Sequence, residues 1–294
     1  MSPPLHTVDV FTDKKYTGNQ LAVVRHAHDI DDDSMQAIAK EMNYSETTFI
    51  RSDTPSDNAY DVRIFTPEAE LPFAGHPTLG TAFVIQQEII REQVERVTLN
   101  LHIGPIPVEF TYADGQPDAL WMTQNQPEFG VTVPPRNLVD LLGLSPDAFD
   151  DRYPIQAVST GIPALIIPLE SLQHVKDAKV NVAKYFELVD NIEPKLLLIF
   201  APDTYEERND LNVRVFVDYF GIPEDPATGS ANGCLAAWLA KYKYFGDSRV
   251  SASVEQGYEI KRPSNLLLRA QADNGGFNIQ VGGRVVTITR GELL

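Results

Sequence analysis

PFAGHPTLGTA (residues 72–82) and PATGSANGCLA (residues 226–236) coincide at the positions that shape a backbone. Pro72 falls on Pro226, Gly75 falls on Gly229, and a helix-forming apolar run follows each. Upstream, Arg63-Ile64-Phe65 matches Arg214-Val215-Phe216. A strand, a loop and a helix start are therefore written twice in distant parts of the chain. The first helix contains Leu79-Gly80-Thr81-Ala82-Phe83-Val84-Ile85, and the second covers residues 230–241. Both are apolar on nearly every face, and a helix of that kind must be enclosed by other elements. The repeat predicts an α+β fold of two pseudo-symmetric domains, each a curled mixed β-sheet around a central α-helix.

The flanking pattern agrees with that expectation. Alternating or short apolar runs predict strands at 7–11, 21–24, 47–51, 60–66, 97–102, 107–112 and 119–123. Asp31-Asp32-Asp33-Ser34 precedes Met35, Ile38, Ala39 and Met42 at helical spacing, an acidic start that suits the helix dipole. The first enclosed helix is expected over 78–90. A proline-rich seam runs from Gln126-Pro127 to Pro134-Pro135. It places one domain at 1–127, completed by a C-terminal strand from 281–294, and the other at 128–280. In the second domain strands are expected at 155–159, 165–168, 196–200 and 213–218, with a helix at 181–190. The tail alternates again at 266–272, 277–281 and 285–289.

Composition narrows the function. The 294 residues include 22% charged and 43% hydrophobic, as in a core-forming globular protein. A net charge of −17 disfavours nucleic acid and anionic membrane surfaces as partners. No stretch is long and apolar enough to span a bilayer, and the start MSPPLHTVDVFTDKK lacks the pattern of a secretory signal. The lone Cys234 has no partner for an internal disulfide. These features point to a reduced, cytoplasmic setting. The six histidines show no metal-ligand spacing, and neither GxxxxGK[ST] nor GxGxxG occurs. No metal is expected.

The repeated loops are where chemistry is expected. A helix start exposes unpaired N–H groups and carries partial positive charge, and glycine there lets a ligand approach the backbone. Gly75 and Gly229 thus form candidate binding sites for a small carboxylate, expected to face one another across a cleft. His76 stands at the first helix mouth, and Asp225 and Ser230 stand at the second. Ser230 is also an ordinary N-cap type, and Asp before Pro is an ordinary turn choice. Glu46, in NYSETTFI, lies between a helix end and an apolar strand. Partial burial there would raise its pKa toward the range useful for moving protons at neutral pH.

Taken together, VDVFTDKKYTGNQLAVV (8–24), NYSETTFI (43–50), RIFTPEAELPFAGHPTLG (63–80), STGIPALIIP (159–168), EDPATGSANG (224–233), EQG (255–257) and VGGRVVTITRGEL (281–293) carry a resemblance. The chain resembles the phenazine-biosynthesis PhzF-like isomerase family, within the wider group sharing the diaminopimelate epimerase fold. The resemblance implies that Glu46 shuttles a proton, that His76, Asp225 and Ser230 assist it as catalytic residues, and that Asn19, Gly75 and Gly229 bind substrate. It implies isomerisation of a small carboxylate-bearing substrate without a cofactor, in a homodimer. Diaminopimelate epimerases place a thiol at each helix mouth. Here Ala74 and Thr228 stand at those positions, so a two-thiol racemisation is not available. The alternative on the same fold is a non-catalytic protein that binds small carboxylates or acts as a scaffold.

Overall fold

The computed structural model describes residues 2–273 and 275–294. Its contacts divide the chain into two compact units, Met1–Thr123 with Gly282–Leu294, and Gln124–Val281. The stretch expected to be a seam carries the strand Glu128–Thr132, which pairs with Gln156–Ser159. The division falls after Thr123, where the strand Gln116–Thr123 ends, and Gln124 N–H then donates to Ile279 O.

In the N-terminal unit, Pro4–Val10 pairs antiparallel with Asn19–Val24, which runs parallel to Glu46–Ile50. Glu46–Ile50 pairs antiparallel with Tyr60–Phe65. That strand holds the two-residue strand Glu70–Leu71 antiparallel and Arg96–Leu101 parallel. Antiparallel Gly104–Ala113 and Gln116–Thr123 follow. On the other side of Pro4–Val10 lies Val285–Glu292, supplied by the far end of the chain.

The C-terminal unit repeats this order of pairings. Gln156–Ser159 and Pro163–Pro168 are antiparallel, and Leu196–Ala201 is parallel to the second of them. Leu211–Val217 pairs antiparallel with Leu196–Ala201, and it holds the short strand Ile222–Asp225 antiparallel and Arg249–Gln256 parallel. Antiparallel Ser264–Asp273 follows. The repeat in the sequence is thus a repeat of strand topology.

Each sheet encloses one helix. In Gly75–Val84 every residue after Gly75 is buried. A Cβ on Gly80 would come 2.5 Å from Leu21 Cδ2 and 2.9 Å from Val10 Cγ2, so the helix backbone lies directly on the first two strands. Thr81 Oγ1 meets Thr48 Oγ1 at 2.8 Å, so the two buried hydroxyls satisfy one another between helix and strand. The expected helix 78–90 starts earlier and changes form: residues Ile85–Ile90 are π-helical, closed by Arg91 N–H donating to Gln86 O. The counterpart helix Gly229–Lys241 buries Ala231 through Ala240. Its Trp238 packs edge-on to Phe200 at 5.5 Å and donates its indole N–H to Pro154 O.

Outer layers complete the cores. Asp32–Met42, capped by Asp31 accepting from Ser34 N–H, lays Met35 and Ala39 against Val24, Phe49 and Phe65. Leu196–Ala201 is buried on both faces: Leu197 and Ile199 join Leu141, Val175 and Tyr185 outside, and Phe200 meets Trp238 inside. That explains why six consecutive positions are apolar rather than alternating.

One device is shared by both hairpins that lead to an enclosed helix. Arg63 grips Glu70 through Nε (2.6 Å) and Nη2 (2.7 Å), and Arg214 grips Glu224 through Nε (3.1 Å) and Nη2 (2.8 Å). Each guanidinium also lies over the phenylalanine two residues on, Phe65 at 5.1 Å and Phe216 at 4.8 Å. By register, Leu71 opposite Ile64 corresponds to Asp225 opposite Val215.

Candidate active site

Both enclosed helices begin at the glycine singled out in the sequence, Gly75 or Gly229. Ala74 and Thr228 are the N-cap residues, both in extended backbone conformation. Neither side chain caps its helix. Alanine has no acceptor, and the Thr228 hydroxyl turns away to Asp225 Oδ2 at 2.6 Å. First-turn N–H groups need a partner from outside the helix, usually the N-cap oxygen. With no such oxygen supplied, each mouth suits an anionic ligand such as a carboxylate.

At the N-terminal mouth, Glu46 is the first residue of its strand. Side chains alternate along a strand, so Glu46 shares the face of Thr48, whose hydroxyl meets the enclosed helix. Asn19 shares the face of Leu21, which lies against Gly80, and Leu21 is paired with Glu46 across the sheet. Asn19 is 1% exposed. The side chains of Glu46 and His76 are 15% and 7% exposed, and Glu46 Oε2 lies 3.3 Å from His76 Nε2. The structure therefore brings Glu46, His76, Asn19 and Gly75 to one helix mouth.

Burial sets the charge of His76. It pushes the imidazole pKa from 6.5 down to about 3, against a smaller opposing effect of its bond to the Gln20 carbonyl. That carbonyl, 3.3 Å from Nε2, can only accept, so Nε2 carries the proton. The approach to Glu46 has the length of a salt bridge, but the ring is neutral at pH 7. It is a contact between the Glu46 carboxyl group and a neutral imidazole.

At the C-terminal mouth, Asp225 ends the strand Ile222–Asp225 and is half-buried. Ser230 is the second helical residue, so the N-cap role open to it by residue type belongs to Thr228 instead. Beneath this mouth lies Gln256, wholly buried, whose amide bonds the backbone or side chains of Asp225, Thr228 and Asn232. Residue-type reasoning singled out neither Thr228 nor Gln256 as site residues. The signal available was the tripeptide EQG, whose Gly257 has φ +78° and so needs glycine. A Cβ there would come 2.7 Å from Pro226 O.

Cys234 takes no part in a thiol mechanism. It is wholly buried, it meets Thr160 Oγ1 at 3.7 Å, and burial pushes its pKa up to about 11. His26 and His28 lie on the surface beside Asp53 and Asp29. Among the described residues, no group of three or more His, Cys, Asp and Glu is arranged to hold a metal ion. Among the same residues, no helix is long and apolar enough to cross a membrane.

The family model for phenazine biosynthesis-like proteins (PhzC-PhzF) matches residues 8–291. The chain belongs to this family. Several of its relatives are named as isomerases. It is 35% identical to an uncharacterized isomerase of Pasteurella multocida, over 98% of this chain and 93% of that one. It is 33% identical to the trans-2,3-dihydro-3-hydroxyanthranilate isomerase of Pseudomonas fluorescens, over 98% of each chain. Its fold matches the crystal structure of a PhzF-family phenazine biosynthesis protein from Bacillus anthracis with a TM-score of 0.90 and 27% identity, covering 100% and 99% of the two chains. A probable proline racemase from Agrobacterium radiobacter K84 shares the fold alone, with a TM-score of 0.61 and 13% identity. The curled sheet around a central helix is therefore the architecture shared by PhzF proteins and the racemase-like enzymes.

Proposed function

We propose that this protein is a cofactor-independent isomerase that moves a proton between two carbons of a small carboxylate-bearing substrate, with Glu46 as the group that takes and returns it. The observation that carries this reading is the approach of Glu46 Oε2 to the buried, neutral His76 at 3.3 Å, at a helix mouth whose N-cap side chain is an alanine.

The substrate carboxylate accepts hydrogen bonds from the first-turn N–H groups beside Gly75, and Asn19 orients it. Glu46, ionised, removes a proton from a carbon whose developing charge spreads into a conjugated or carbonyl group. It then delivers that proton to a second carbon, so the reaction is balanced without an added reductant or oxidant. An imidazolium at His76 would lock the carboxylate into an ion pair. The neutral ring makes no such ion pair and holds a substrate amine or hydroxyl. Asp225 and Ser230 are proposed as further polar groups of the reaction, and the chain as a homodimer.

The relatives named trans-2,3-dihydro-3-hydroxyanthranilate isomerase supply the first compound to test. In ²H₂O, the wild-type protein should wash deuterium into that compound or into another small cyclic amino or hydroxy carboxylate, followed by NMR. Glu46→Gln keeps the shape, loses the base, and should slow the exchange about 10²–10⁴-fold. Full exchange in Glu46→Gln would refute the role of Glu46. Ligand binding without exchange across the whole panel would leave a carboxylate-binding protein in place of an enzyme.

A further inference from the structure

The C-terminal helix mouth contains a directed chain of hydrogen bonds that begins on a residue outside the repeated motif. Gln256 is 0% exposed. Its Oε1 accepts from Thr228 N–H at 3.2 Å and from Asn232 Nδ2 at 2.9 Å. Its Nε2 donates to Asp225 O at 2.8 Å and to Thr228 Oγ1 at 3.0 Å. Both lone pairs and both amide protons are thereby used. Because Thr228 Oγ1 receives a proton from Gln256, its own single proton points elsewhere, and Asp225 Oδ2 lies 2.6 Å away to accept it.

Two further observations agree. Thr228 is the N-cap residue, yet its hydroxyl is not spent on the helix, the usual use of threonine there. Gly257, next to Gln256, packs so closely on Pro226 that a side chain would collide with its backbone. The turn that carries Asp225 therefore rests directly on the segment that carries Gln256.

We propose that Thr228 and Gln256 are positioning residues for Asp225: the buried amide commits the Thr228 hydroxyl to the Asp225 carboxylate and fixes that carboxylate in one orientation at the helix mouth. Thr228 occupies the place of a thiol in diaminopimelate epimerases, and here the hydroxyl orients a neighbouring acid instead of exchanging a proton with substrate. The consequence for catalysis rests on the reading of Asp225 given above. The orientation itself does not.

The test uses the full chain and two readouts. The first needs no substrate: the side-chain rotamer of Asp225, from three-bond couplings in protein labelled at aspartate. Wild type and Thr228→Ser, which keeps the hydroxyl, should show one fixed rotamer, and Thr228→Val should show averaged couplings. Gln256→Met should average them as well. If that variant does not fold, the Thr228 pair decides alone. The second readout is turnover of trans-2,3-dihydro-3-hydroxyanthranilate. Thr228→Val should lower kcat about tenfold, roughly the effect of one charge-assisted hydrogen bond, with KM within about twofold and Thr228→Ser restoring the rate. A fixed, wild-type rotamer in Thr228→Val would overturn the proposal, as would a Thr228→Ser protein as mobile at Asp225 as the valine variant. Failure of the wild type to turn over this compound would count against that substrate only, and the couplings would still decide the positioning.

Discussion

His76 should make the folded protein sensitive to mild acid, and the size of the effect follows from its burial. The unfolded chain takes up a proton at this imidazole near pH 6.5, and the folded chain takes it up only near pH 3. The folded-state value is depressed, so the contribution of His76 to stability is full above pH 6.5 and is lost as the pH falls toward 3. Each pH unit inside that window costs about 1.4 kcal/mol. Between pH 7.0 and 5.5 the cost is about 1.3 kcal/mol, because the first half unit lies above the unfolded value. Urea unfolding of wild type and His76→Gln at both pH values isolates it. The variant keeps an amide donor for the Gln20 carbonyl but does not titrate. Its loss of stability on acidification should be smaller than that of wild type by about 1.3 kcal/mol. His6, also held below its ordinary value by burial, shifts both proteins alike and cancels. Equal losses in the two proteins, or ¹⁵N imidazole shifts of His76 that titrate near pH 6.5, would refute the neutral, buried state assigned to this ring.

Two substitutions test the scaffold around the two mouths. Gly80→Ala places a methyl group 2.5 Å from Leu21 Cδ2, closer than packed atoms tolerate, and should cost about 1–3 kcal/mol in urea unfolding. A variant as stable as wild type would mean that the enclosed helix has room to move off its strands. Glu255, 0% exposed, accepts from the N–H groups of Tyr205 and Glu206 and from the side-chain amides of Asn209 and Asn212. Glu255→Gln replaces one acceptor oxygen with a donor, leaving two of these groups unpaired at about 1–3 kcal/mol each. Unchanged stability, together with unchanged hydrogen exchange at Tyr205 and Glu206, would show that the carboxylate does not anchor this loop.

The fold was legible where burial leaves a one-sided signature. Two helices without a polar stripe announced enclosure, and the apolar run at 196–200 announced a strand, which the structure shows to be covered on both faces. Arg249–Gln256 escaped notice because it alternates Val250, Ala252 and Val254 with serines and then ends in a buried Glu and Gln. Hydropathy reads such residues as surface, whereas here hydrogen bonds satisfy them inside. The first enclosed helix was expected three residues late because Pro77 and Gly75 read as loop. Proline is tolerated in a first turn, where the missing N–H has no partner within the helix. The π-helical turn leaves no mark in residue types. Of the candidate site, His76 and Asp225 were visible as titratable groups at the two helix mouths, and Glu46 as a carboxylate between a helix end and an apolar strand. The Gln256–Thr228–Asp225 chain was not, because it joins a strand end to a helix cap that only the folded sheet brings together.

The twin arginine–glutamate clasps let the two halves diverge. Each clasp ties the two strands of its hairpin through an arginine–glutamate pair that uses none of the side chains at the tip. The tips differ accordingly: Leu71 against Asp225, Ala74 against Thr228, His76 against Ser230. A chassis built twice can thus carry unlike tools, one tip bearing a neutral ring and the other an oriented acid, without either half having to find a new way to fold.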